Sequence, residues 1–198
     1  MINTNNAIEN LKELDYIFRK HNIRYWLQDG TLLGYYRDNN FIPHDNDIDI
    51  GIRWSDFTRE AFLEISNNGF EFNSAHGRLK TSLVINFRKR KIPIDIYFYY
   101  YEGDRFYHTA AYGWKKLLRV DFSYKDFDVK EIDFFGQKFF IPEDPLYFIE
   151  TKYGKDWQTP KSEWNSSEEP LNCTFTNIAT TKKESKKAFR MWTEGKEW

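Results

Sequence analysis

The chain has 198 residues, a formal net charge of −1 and 19% aromatic residues. That length fits one domain with a sizeable core, and the near-zero charge excludes a global field that would recruit nucleic acid or an anionic membrane. The one cysteine, Cys173, excludes an intrachain disulfide, and no stretch approaches the roughly 18 consecutive apolar residues of a membrane span. The N-terminus carries no basic patch followed by an apolar run, so no signal peptide is expected. A soluble, cytoplasmic protein follows as the expectation, with peripheral contact at the inner face of a membrane left open.

Residues 4–21 repeat Ile8, Leu11, Leu14, Ile17 and Phe18 at helical spacing, with Thr4 as the expected N-cap. Ile23 to Leu27 reads as a short strand, which Gly30 ends. Thr31 to Tyr36 then begins a helix whose free N–H groups face back toward the turn. Asp47 to Arg53 alternates strictly, with Ile48, Ile50 and Ile52 on one face and Asp47, Asp49 and Gly51 on the other, as a half-buried strand does. Ser55 is the expected cap of a helix running through Ile65. One or two strands are expected within residues 78–90, and another from Ile92 to Tyr99.

The second half is less periodic. A hairpin is expected around Gly136, between Glu131–Phe135 and Gln137–Ile141. Pro145 opens a helix that stops at Gly154. Residues 155–181 read as irregular, and Lys182 to Trp192 as a terminal helix. The expected fold is α+β, a mixed sheet flanked by helices. It forms a single domain over 1–198, with a core over about 1–100 and an extension over about 101–198 packed on it.

The chemistry concentrates in three places. Asp47 and Asp49, two apart on a strand, project from one face within reach of a shared divalent cation, and oxygen ligands of this type suit Mg²⁺ or Mn²⁺. Asp95 sits between apolar neighbours on a later strand; if that strand is adjacent, a third carboxylate converges. The Gly30-Thr31 turn lets backbone N–H groups meet an anion at a helix N-terminus, with the Thr31 hydroxyl as a further donor. Arg37 reads equally as a phosphate partner and as half of an ion pair with a nearby Asp, and Asp29, His44 and Asp45 flank the site. A calcium loop beginning at Asp45 is disfavoured, because Ile50 stands where such a loop needs Gly. The basic run Arg88-Lys89-Arg90-Lys91 reads first as a solvated turn and second as a patch for an anionic acceptor. Of the seven tryptophans, some are candidate stacking platforms for sugar or base, although core packing is the commoner role.

The order strand, Gly-Thr, helix, Asp-x-Asp and later Asp resembles the nucleotidyltransferase superfold of DNA polymerase β. The run Gly30 to Gly34, Arg37, Ile42, Pro43, His44, Asp45, Asp47 and Asp49 resembles more closely the LicD/fukutin family, with His44 in place of the family's usual Trp. Ile141 to Asp144 and Tyr153-Gly154-x-x-Trp157 resemble that family's downstream signature. The resemblance implies transfer of a phospho-alcohol, phosphocholine or phosphoribitol, from a CDP-linked donor to a hydroxyl of a cell-surface glycan or lipid-linked saccharide. It further implies Mg²⁺ or Mn²⁺ on Asp47, Asp49 and Asp95, and phosphate contacts from Gly30, Thr31 and Arg37. Two alternatives stay open: transfer of a nucleoside monophosphate to a small molecule, and an inactive nucleotide- or glycan-binding module.

Overall fold

The computed structural model describes residues 2–112, 117–161, 164 and 169–196. It opens with α1 (Thr4–Lys20), whose N-cap is Asn3, not Thr4: the Asn3 side chain accepts from the Asn6 N–H at 3.0 Å. Ala7, Leu11, Leu14, Ile17 and Phe18 bury the expected stripe. Then come β1 (Tyr25–Leu27), α2 (Asp29–Asp38) and β2 (Ile48–Arg53). A single 3-10 turn at Trp54–Asp56 separates β2 from α3 (Arg59–Asn67). The cap of α3 is therefore Thr58, which accepts from the Ala61 N–H, and not Ser55, whose hydroxyl is spent on Asp56.

Strands β3 (Glu71–His76), β4 (Val84–Lys89) and β5 (Ile92–Glu102) follow. They are continued by β6 (Arg105–Tyr112), β7 (Leu117–Tyr124) and the hairpin β8 (Val129–Phe134) and β9 (Gln137–Pro142). The chain ends in α4 (Pro145–Tyr153), β10 (Cys173–Thr180) and α5 (Lys182–Thr193). Asp144 caps α4 at the Tyr147 N–H, and Gly154 at φ 83° closes it.

The main sheet runs β1-β2-β5-β6-β7-β10, and β4 pairs with β5 and β3 off that path. Strands β2 and β5 are parallel, and the other pairings are antiparallel. The sheet is therefore mixed, with helices packed on it, as an α+β chain of this pattern requires. The parallel pair is the centre of the molecule: Ile48, Ile50 and Ile52 lie opposite Ile94, Ile96 and Phe98, and all six are fully buried. Strand β5 runs unbroken through residue 100, so one sheet carries strands from both halves of the sequence. The other face of β2 is also covered, since Asp49 is 7% exposed.

The turn between β4 and β5 holds Arg90 and Lys91 at φ 51° and 65°, as a two-residue hairpin does. Its charges are spent on α1: Lys89 and Arg90 pair with Glu13, and Arg90 also donates to Asn10 Oδ1. Of the expected patch, these two residues form a structural tie. Residues 173–180, expected to be irregular, instead form the edge strand β10 on β7. Among the described residues no helix is long and apolar enough to cross a membrane.

Candidate metal and phosphate site

Strand β2 leaves the loop 39–47 at the C-terminal edge of β1, directly beside the start of α2. The Gln28 N–H donates to the Asp49 carbonyl at 3.1 Å, the Gly30 N–H to Asp49 Oδ2 at 3.1 Å, and the Asp49 N–H to Thr31 Oγ1 at 2.9 Å. The strand–turn–helix unit thus grips Asp49 from both its backbone and its carboxylate. A Cβ on Gly30 would stand 2.3 Å from Asp45 Oδ2 and 3.4 Å from Asp49 Oδ2. A side chain at this position would have to push the Asp45 carboxylate out of its place beside the turn.

Asp45, Asp47 and Asp49 each offer a carboxylate oxygen, and these lie within 4.8 Å of one another. Such crowding has an electrostatic signature. Burial, then the hydrogen bond and charge of Asp45, then the charge of Asp95, push the Asp47 carboxyl up to about 8. Asp49 is raised well above the ordinary range by burial and by the charges of Asp47, Asp29, Asp95 and Asp45. Carboxylates held together against their own repulsion form the donor set of a hard divalent cation, so the residues present fit Mg²⁺ or Mn²⁺.

Asp95 stands opposite Asp49 in the parallel register, as the adjacency of the strands requires. It does not join the cluster of three. Its Oδ1 accepts from Asn86 Nδ2 on β4, and Asp45, carried in by the preceding loop, stands in the cluster instead. Thr31 is 1% exposed, and its hydroxyl braces the Asp49 backbone. Arg37 lines the cavity while chelating Asp38 through Nε at 3.0 Å and Nη2 at 2.8 Å.

The carboxylates open into a cavity of about 330 Å³. Asp29, Gly30, Arg37, His44, Asp45, Asp47 and Asp49, all singled out in the sequence, line it. So do Tyr153, Trp157 and Trp164, which the sequence offered only as a family signature and as candidate stacking rings, and Tyr97 of β5, Lys152 of α4 and Lys161, which it did not single out. The Tyr153-Gly154-x-x-Trp157 block was the available signal for that wall. Of the tryptophans, Trp26 is fully buried core, Trp157 and Trp164 face the cavity, and Trp114 and Trp198 lie outside the described residues.

Behind the cavity, His108 of β6 is 1% exposed and packed among Tyr97 and Tyr99 of β5 and Phe122 and Tyr124 of β7. Burial drives its pKa down to about 3, against a smaller opposing pull from Asp29; the Lys152 charge adds to the depression, and Asp121 acts the other way. The imidazole is neutral in the folded protein and charges in the unfolded chain near its ordinary value. Its contribution to stability is therefore complete above about pH 6.5 and is lost as pH falls toward the folded value. Relative to His108→Phe, the wild type should lose about 2–3 kcal/mol by about pH 4.5. Urea unfolding of both proteins across that range checks this, and parallel pH profiles would refute it.

The family model described as "LicD/FKTN/FKRP, nucleotidyltransferase domain" matches residues 22–144. Ribitol-5-phosphate transferase FKTN of Homo sapiens is 31% identical over 154 residues, covering 77% of this chain and 33% of that protein. The Mus musculus protein of the same name is 30% identical over 153 residues, 76% of this chain and 32% of the relative. An uncharacterized protein of Rickettsia typhi is 28% identical over 145 residues, 72% of this chain and 44% of its own length. The chain thus spans about a third of the length of the FKTN proteins it matches. The match to the family model takes in the Gly30-Thr31 turn, all three clustered carboxylates and the parallel strand pair. On that ground the chain belongs to the LicD/FKTN/FKRP family, through its nucleotidyltransferase domain.

Proposed function

We propose that the cavity binds a CDP-linked phospho-alcohol together with Mg²⁺ or Mn²⁺ and transfers the phospho-alcohol to a hydroxyl of a glycan or lipid-linked saccharide. The observation that carries this reading is the clustering of Asp45, Asp47 and Asp49 at the mouth of a helix N-terminus, inside a cavity of organic-ligand size. The activity for which the FKTN relatives are named, ribitol-5-phosphate transfer, supports the phospho-alcohol class.

Asp45, Asp47 and Asp49 would hold the cation. When bound, it supplies charge neutralisation to the diphosphate and Lewis acidity at phosphorus. The start of α2 adds the positive end of a helix dipole on the same side. Thr31 and the Gly30 N–H fix Asp49 so that no side-chain reorganisation is needed when the anion arrives. Arg37 sits at the cavity edge, where exchange of Asp38 for a phosphate oxygen would bring its guanidinium to the donor. Asp95 acts from behind: its charge raises both Asp47 and Asp49, and Asn86 keeps its carboxylate on the strand pair. Tyr153, Trp157 and Trp164 give flat walls for the base or the acceptor ring. Attack by the acceptor oxygen on the distal phosphorus would expel CMP, with positioning and charge stabilisation supplying most of the rate.

The family domain's description favours one rival, transfer of a nucleoside monophosphate. Phosphorus NMR separates the two. CDP-ribitol and CDP-choline, each with Mg²⁺ and an oligosaccharide acceptor mixture, should give CMP in the wild type and none in Asp47→Ala. Pyrophosphate release from CTP and a phospho-alcohol, with no CMP from either donor, would replace this reading with the rival.

A further inference from the structure

The cavity's floor holds a pair that cation binding does not explain. Asp29 and Lys152 form an ion pair between the start of α2 and the last turn of α4, at 8% and 3% exposure. Both line the cavity. Asp29 is held at φ 46°, a left-handed conformation that residues with a Cβ seldom adopt, at the first position of α2. The Gln28 amide also reaches its Oδ2, at 3.3 Å. Burial works to raise the Asp29 carboxyl, yet the Lys152 ammonium holds it below the usual range.

The placement is costly for a fold that merely needs filling at that point. A buried lysine surrenders the hydration of three N–H donors, and among the described residues its ionic partner is Asp29 alone. Its other neighbours are the rings of Phe122 and Tyr153, at 5.4 and 5.7 Å from the ammonium. Rings attract a cation but offer no lone-pair acceptor. Lys152 thus brings a buried cation to the cavity wall. The cavity's other cations, Arg37 paired with Asp38 and Lys161 paired with Asp156 at 3.1 Å, are more exposed to solvent than Lys152.

We propose that Lys152 is a diphosphate-binding residue, held by Asp29 so that its ammonium meets the donor's phosphate oxygens in the cavity that the carboxylate cluster also lines. This rests on the functional reading above and names a residue for its donor site. A doubly charged diphosphate that meets both a cation on Asp45, Asp47 and Asp49 and an ammonium on α4 is neutralised by the two together. Asp29 supplies the counter-charge beside the buried lysine before the donor arrives.

Binding of CDP in saturating Mg²⁺, followed by calorimetry alongside thermal unfolding, tests this in four proteins. Wild type binds CDP. Lys152→Met leaves Asp29 buried and unpaired, so it loses stability and CDP affinity together. The double variant Asp29→Asn/Lys152→Met removes both buried charges; asparagine tolerates the left-handed backbone. It should unfold near the wild-type temperature yet bind CDP about 10- to 50-fold more weakly, the worth of one charge-assisted contact. Lys152→Arg, which keeps the charge, should stay within about threefold of wild type. Recovery of CDP affinity along with stability in the double variant overturns the proposal, as does an Arg variant as weak as the Met variant. Should the double variant not fold, the Arg-against-Met comparison decides. Failure of wild type to bind CDP in Mg²⁺ is a different result, and rejects the functional reading itself.

Discussion

Replacing Asp49 with Asn should make the cation-free protein more stable and the enzyme inactive. In the folded state this carboxyl is buried beside Asp47, Asp29, Asp95 and Asp45, and its pKa is raised well above the ordinary value. A carboxyl whose folded pKa is raised holds its proton where the unfolded chain releases it. Folding is therefore penalised as pH rises above about 4, and the penalty grows until pH passes the raised folded value. Asparagine carries no such penalty, and its side-chain oxygen can still accept from the Gly30 N–H. The gain should grow as pH rises above about 4 and vanish below it, where both side chains are neutral. Transfer activity should fall by about 10³-fold or more, because the variant loses a charged ligand of the cation. Mg²⁺ should raise the unfolding temperature of the wild type and leave that of the variant unchanged. Urea unfolding with and without Mg²⁺ measures both. A variant less stable than wild type at neutral pH without cation would contradict this account of the cluster.

Gly51→Ala should cost more stability than an ordinary core change, about 3 kcal/mol, with no charge altered. An added Cβ would stand 2.2 Å from Trp26 Nε1, 2.4 Å from Cε2 and 2.5 Å from Gln28 Oε1. Trp26 cannot yield, being fully buried and held edge-on by Tyr99 and Phe127, each with ring centroids 4.9 Å away. Strand β2 cannot yield either, since it is hydrogen-bonded to β1 on one side and β5 on the other. The matching control is Gly69→Ala, where nothing lies within 4 Å and only the left-handed φ of 80° opposes a side chain; there about 1 kcal/mol is expected. Equal losses at the two positions would show that the indole moves aside. The glycine couples fold to site, since the strand it thins for Trp26 is the one that presents Asp49.

The site was legible in the sequence wherever local chemistry and local pattern agreed. Ile48, Ile50 and Ile52 alternate because β2 is locked between two strands. The period that shows the strand also shows Asp49 on the face of the Gly30-Thr31 turn. Asp95 was legible as an acid on a buried strand, but its hydrogen bond from Asn86, on a third strand, was not, because no local pattern encodes that contact. Asp45 was noticed only as a neighbour because the loop that carries it has no period. Its place follows from the close approach to Gly30 that the absence of a Cβ permits.

Lys152 was hidden for the opposite reason. On α4 it occupies an ordinary last-turn position for a base, and its burial depends on α2 supplying Asp29. The second half of the fold was harder to read. Strands β6, β7 and β10 mix Arg, Asp, His and Thr with apolar residues, because charges such as Asp121 are buried with partners of their own, Arg105 and Arg119. Period-two alternation fails where a buried position is satisfied by pairing and not by apolarity. Residues 173–180 read as irregular because an edge strand buries little, and Phe175 is half exposed.

The most direct test of the central claim is electron paramagnetic resonance of Mn²⁺ with wild type and Asp49→Asn, before and after addition of CDP. The account predicts a bound Mn²⁺ signal in wild type, a phosphorus hyperfine coupling when CDP is added, and free Mn²⁺ in the variant at the same concentrations. Mn²⁺ that binds both proteins alike, or a wild-type signal that CDP leaves unchanged, would contradict a cation held by Asp45, Asp47 and Asp49 against a diphosphate.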